Sequence, residues 1–169
     1  MGVTSTLSMS ASVLQTKALD LTAAEDSLAF RRAVQLTDGV TAGKADRVFH
    51  DRRTLAASAS EDLDLAGVLT DAFGQALTFV RVKGLFIAAA ATNTNNVIIG
   101  NAASNAWAAL LGATGTVTLR PGASLGVMTG PADATAYPVT AGTGDLLKVA
   151  NSAGGTGVTY DVVIVGTSA

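Results

Sequence analysis

The chain has 169 residues, of which 49% are hydrophobic and only 14% charged, with a formal net charge of −2. That length suits one domain, with or without an extension, and so sparse a charge implies that part of the surface is apolar and buried against other chains. The absence of cysteine excludes disulfides, thiolate catalysis and cysteine-bound zinc.

The opening MGVTSTLSMSASV lacks the basic and apolar regions of a secretory leader. No apolar run approaches the roughly 20 residues of a membrane helix. A soluble protein made in the cytoplasm is therefore expected, with no membrane partner. Residues 1–20 alternate Val3, Leu7, Met9 and Val13 with little charge, and read as an N-terminal arm that contacts another chain; residues 21–169 read as a single β domain. The segment 23–37 carries two conflicting signals. Thr22 and Glu25 make a capping box, with Gly39 as a stop, which predicts a helix. Leu28, Phe30, Val34 and Leu36 instead follow period two, and the Asp38-Gly39 turn looks like hairpin chemistry, so strand is favoured.

Residues 45–65 read as strand, polar turn and strand. From Leu63 onward short β runs alternate with turns: 76–88, 96–100, 116–122, 124–128, 137–141, 145–151 and 158–166. In TVTLRPG, Val117 and Leu119 point one way before Pro121-Gly122 turns the chain. In VTYDVVIVG, Val158, Tyr160, Val162 and Ile164 share one face, and the other turns apolar at Val163 and Val165. The pattern predicts an all-β fold of about eight to ten strands, a jelly-roll or Greek-key sandwich or barrel.

Several motifs point toward chemistry. TNTNNVIIGNAASN places Asn93, Asn95 and Asn96 where the chain reverses; asparagine amides suit a turn and also suit sugar hydroxyls. Trp107 reads as a packing anchor, or as a sugar platform beside those asparagines. Gly122-Ala123-Ser124-Leu125-Gly126 matches a nucleophile elbow, but no helix follows it and the lone histidine, His50, precedes it. Glu61, Asp62 and Asp64 lack the glycine-centred loop of a calcium site and read as a solvated strand start. Arg31, Arg32, Arg47, Arg52 and Arg53 cluster with His50, yet Asp46 and Asp51 offset them and no aromatic stacking pattern accompanies them, so pairing across strands or between subunits is expected and nucleic acid is not. No catalytic, cofactor or metal residues are assigned.

The stretches DRRTLAASASEDLDLAGVLTDAFGQALTFVRVKGLFI, NTNNVIIGNAASNAW, RPGASLGVM, YPVTAGTGDLLKVANS and VTYDVVIVGTS resemble, in order, the tailed-phage jelly-roll proteins that decorate or cement capsids. The resemblance covers about Ala45 to the end and rests on strands and turns. It implies a non-enzymatic virion protein on the capsid surface, a homotrimer that binds the major capsid protein, with the N-terminal arm reaching over neighbouring subunits. A carbohydrate-binding jelly roll of a fibre or baseplate, using Asn93, Asn95, Asn96 and Trp107, is the alternative.

Overall fold

The computed structural model describes residues 2–169, and the protein is all-β, with 54% strand and 2% helix. Met1, the first residue of the expected arm, lies outside the described residues. The chain opens with a long antiparallel hairpin, β1 (Ser5–Ala18) and β2 (Ala23–Asp38), whose register runs unbroken from Ser5 opposite Leu36 to Ala18 opposite Ala23. Period two thus prevails over the capping box. Thr22 lies in the hairpin turn, where its carbonyl accepts from the Leu19 N–H, and strand 23–38 gains a ladder with β1 that an isolated helix would lack. The expected boundary after residue 20 falls in this turn, so the arm comprises both strands. A short β3 (Lys44–Ala45) runs parallel to the end of β2.

The rest of the chain forms two facing sheets. In the first, β4 (Arg47–Leu55) is one edge, β12 (Val158–Thr167) and β6 (Arg81–Ala89) are central, and β9 (Ser124–Met128) and β10 (Tyr137–Pro138) share the far edge. The second has the order β5 (Ser60–Asp64), β11 (Leu146–Asn151), β7 (Val97–Gly100) and β8 (Thr116–Leu119). Every pairing within these two sheets is antiparallel. Neither sheet closes on itself, so the barrel alternative is corrected to two open sheets. One helical turn, α1 (Ala108–Leu111), follows Trp107.

Period two along the strands places alternate side chains between the sheets. Tyr160, Ile164, Ile87, Val97, Ile99 and Val149 meet there and are buried. Leu119, Val158, Tyr160, Val162 and Ile164 are in this core as the sequence pattern requires, whereas Val117 is only half-buried, because β8 is an edge strand with a neighbour on one side. The expected strand at 137–141 shrinks to two residues: Val139 still donates to the Val80 carbonyl, but Thr140 pairs with Gly144 in the 140–144 turn.

A second apolar cluster lies on the outer side of the first sheet. Leu7, Val34 and Leu36 at the arm's root pack with Ala45 on Val165, flanked by Val48, Phe86, Met128 and Val163. This is why the outward face of β12 becomes apolar at Val163 and Val165: it is a floor for the arm. The close approach depends on Gly84, where a Cβ would stand 2.5 Å from Leu7 Cδ1. Where the arm returns to the body, Lys83 is wholly buried and its ammonium donates to the carbonyls of Thr41 (3.3 Å) and Asp133 (3.0 Å). Burial pushes its pKa below the ordinary lysine range.

The Gly84 notch yields a prediction. Gly84→Ala should destabilise by roughly 1–3 kcal/mol, as overpacking does, and should expose the arm to proteolysis first. Gly84→Ala with Leu7→Ala should cost less than the two single changes added together, by about 1 kcal/mol in urea unfolding; strict additivity would show that the two side chains do not meet.

Candidate functional site

Along the arm, one face carries Leu7, Met9, Ala11 and Val13 opposite Val34, Arg32, Phe30 and Leu28. Its root is buried, and exposure then climbs outward: Leu7 6%, Met9 41%, Phe30 46%, Val13 54% and Leu28 57%. The apolar stripe that fixes the arm to its own body therefore continues into solvent. The opposite face is mostly small and polar, with Ser8, Ser10, Ser12 and Thr16. From Ser10 to Ala18 the free part spans roughly 25–30 Å at about 3.4 Å per residue.

A groove of about 330 Å³ lies beside β4, walled by Phe49, His50, Asp51 and Arg53, by Asp62 and Leu63 of β5, and by the 68–72 loop. The loop is a miniature hairpin: Thr70 bridges Ala76, and the Asp71 carboxylate accepts from the Phe73 and Gln75 N–H groups at 2.9 Å. This geometry leaves Val68 77% and Phe73 71% exposed beside the groove. Three carboxylates (Asp51, Asp62, Asp71) face one guanidinium (Arg53), so the groove is acidic.

A polar clasp fixes the groove wall. Arg53 Nε donates to Glu61 Oε2 at 2.7 Å, Arg53 Nη1 to Asp51 at 2.9 Å, and the Tyr160 hydroxyl to Glu61 Oε1 at 2.8 Å. Glu61 thus joins β5 of one sheet to β4 and β12 of the other. Burial, then the Glu61 carboxylate, raises the Tyr160 pKa far above its ordinary value, because an ionised phenolate would be desolvated beside an anion.

The residues singled out in the sequence are dispersed by the fold. The Asn93 amide forms a reciprocal pair with the Thr159 backbone (2.9 and 2.8 Å), and the Asn95 amide donates to Asn151 and to the Ala153 and Thr156 carbonyls, all at 3.0 Å. Asn96 is held through its backbone by Ser152. Trp107 is buried, packed edge-on to Tyr137, with its Nε1–H donating to Pro138 at 2.8 Å. Ser124 begins β9, and β6 and β12 separate it from β4, which carries His50; at about 4.8 Å per strand this is roughly 14 Å. Asp64 caps the Ala66 N–H, and Asp62 stands opposite Lys148. Of the arginines, Arg47 pairs with Asp46, Arg52 with Asp161 and Arg53 with Glu61 and Asp51. Arg31 and Arg32 ride on the arm, Arg32 lying 5.1 Å over the Phe30 ring. Sequence reasoning missed the groove; the exposed Val68 and Phe73 in a turn-rich stretch were the available signal.

No helix among the described residues is long and apolar enough to cross a membrane. In comparison with known families, curated proteins and solved structures, nothing matches the chain.

Two measurements check the clasp. Tyr160→Phe should destabilise the protein by about 1–2 kcal/mol, the loss of a buried hydrogen bond to a charged acceptor. Because the folded pKa of Tyr160 lies above its unfolded value of about 10, the neutral phenol contributes fully below pH 10 and its contribution is lost as pH rises beyond it. Urea midpoints should therefore fall from pH 9 to 11 more steeply in the wild type than in Tyr160→Phe; parallel curves would show that Tyr160 is not the titrating group.

Proposed function

We propose that the protein is a non-enzymatic structural component of a tailed-phage virion, a capsid decoration or cement protein that binds the major capsid protein and associates with itself as a trimer. The observation that carries this reading is the arm, whose apolar stripe leaves the body and continues for about half its length without a partner. Isolated exposed hydrophobes are ordinary, but a continuous amphipathic stripe marks an interface. The body fits the reading as well. With the two-residue β10 set aside and β4, β5, β6, β7, β8, β9, β11 and β12 taken as strands one to eight, the sheets run 1-8-3-6 and 2-7-4-5, an order that supports a jelly-roll reading. Such work needs many copies of a modest interface and no chemistry. A carbohydrate module draws less support, since the amides of Asn93 and Asn95 and the ring of Trp107 are engaged inside the molecule.

The test is rebinding. Purified protein added to phage heads stripped of it should co-sediment to a saturating stoichiometry and raise the temperature at which heads release DNA. Replacing Ser10–Arg31 by a tight turn should leave the body folded and weaken head binding at least tenfold. A full-length protein that never co-sediments with heads would overturn the reading.

A further inference from the structure

The arm and the groove lie at opposite edges of one sheet. β1 passes over β6 at Leu7 and over β9 at Met9, where Met9 Cγ is 3.9 Å from the position a Gly126 Cβ would take. Its continuation therefore leaves the body beyond the β9 edge, while the groove borders β4 at the other. An arm so directed points away from its own groove and toward that of another copy. Such an arrangement makes a head-to-tail contact, which closes into a ring when the rotation between copies allows.

The chemistry of the two surfaces is complementary. On the stripe's face Arg32 stands among Met9, Val13, Leu28 and Phe30, with Lys17 and Asp26 nearer the tip, while Arg31 lies on the other face opposite Ser10; Arg32 forms no ion pair within the chain among the described residues. The groove offers Asp51, Asp62 and Asp71 against Arg53 alone. Apolar groups accompany the charges on each side: Met9, Val13, Leu28 and Phe30 on the arm, Val68 and Phe73 beside the groove.

We propose that the free half of the arm of one copy docks in the acidic groove of the next, Arg32 meeting its carboxylates and the apolar stripe covering Val68 and Phe73. The occupant of the groove is a second copy of this chain. This inference rests on the virion reading for the arm as an interface and for self-association, and it is tested on pure protein without heads, so failure to assemble and failure to bind heads are read separately.

The experiment uses exposed positions that leave the core intact. An arm variant, Leu28→Asp/Phe30→Asp, and a groove variant, Val68→Asp/Phe73→Asp, are compared with the wild type by sedimentation velocity after circular dichroism confirms their folding. If either loses its native spectrum, Phe30→Ser and Val68→Ser take their places. Wild type should assemble, and each variant alone should be monomeric, since each lacks one half of every contact. An equimolar mixture should form heterodimers, because the arm variant keeps a sound groove and the groove variant a sound arm. Raising the salt concentration should weaken wild-type assembly through screening of Arg32 and the groove's carboxylates. A mixture that stays monomeric, a variant that assembles like the wild type, or a monomeric wild type would each overturn the proposal; normal assembly of the groove variant alone would point instead to arms pairing with arms.

Discussion

The rest of the molecule depends on the burial of β12 on both of its faces. It pairs with β4 on one side and β6 on the other, its inward residues fill the middle of the sandwich, and outward Val163 and Val165 lie beneath the arm's root. A strand covered on both faces has no use for polar alternation. Its sequence changes where the cover changes: Thr159 and Asp161 mark the open outer face, and the run from Val162 to Val165 marks the part under the arm. The same strand therefore holds the sandwich together and sets the direction in which the arm leaves it. Lys83 reinforces that direction by linking the loop after the arm to the 130–135 loop, at the cost of keeping a cation away from water.

The strands were legible in the sequence wherever one face was buried and the other wet, because period two then survives in the residues themselves. TVTL and the opening VTYD of β12 declared their pleat in this way. The hairpin was harder to read, since Thr22, Glu25 and Gly39 are sound local signals for a helix. They were overruled by a ladder extending from Ser5 to Ala18, which no local reading can weigh. The pairing of residues 5–18 with the strand that follows them was hidden for a related reason. Leu28, Phe30, Val34 and Leu36 alternate like a core strand, and alternation shows that one face is apolar without telling what covers it.

The candidate site was less legible, because it is assembled from distant segments. Asp51, Asp62 and Asp71 come from a strand, a second strand and a loop, and in the sequence Asp62 appeared to belong with Glu61 and Asp64. The fold separates these three: Glu61 turns inward to Arg53 and Tyr160, Asp64 caps a turn, and Asp62 faces the groove. The asparagines illustrate the converse. Their density around 93–96 reflects a crossing between sheets in which Asn93 takes the place of a ladder partner for Thr159, while Asn95 gathers the 151–156 turn. A side chain able to satisfy backbone groups is placed where two pieces of chain meet without a common strand.

The energetics of the arm explain why a contact of this kind suits a repeated assembly. Met9, Val13, Leu28 and Phe30 are each about half exposed in the single chain, and finishing their burial is worth about 1 kcal/mol apiece, half of the 1.5–3 kcal/mol for a whole side chain. Four such residues supply roughly 4 kcal/mol, comparable only to the low end of the 4–15 kcal/mol lost in immobilising a free molecule. The screened attraction between Arg32 and the groove's carboxylates adds little more at the protein surface. One arm in one groove is therefore a weak bond. In a closed ring the last contact forms between copies already held together, so it incurs no second loss of translational freedom and adds its full strength. An interface that holds a pair only at high protein concentration can in this way hold a ring at lower concentration, and copies release or rearrange until the ring is complete.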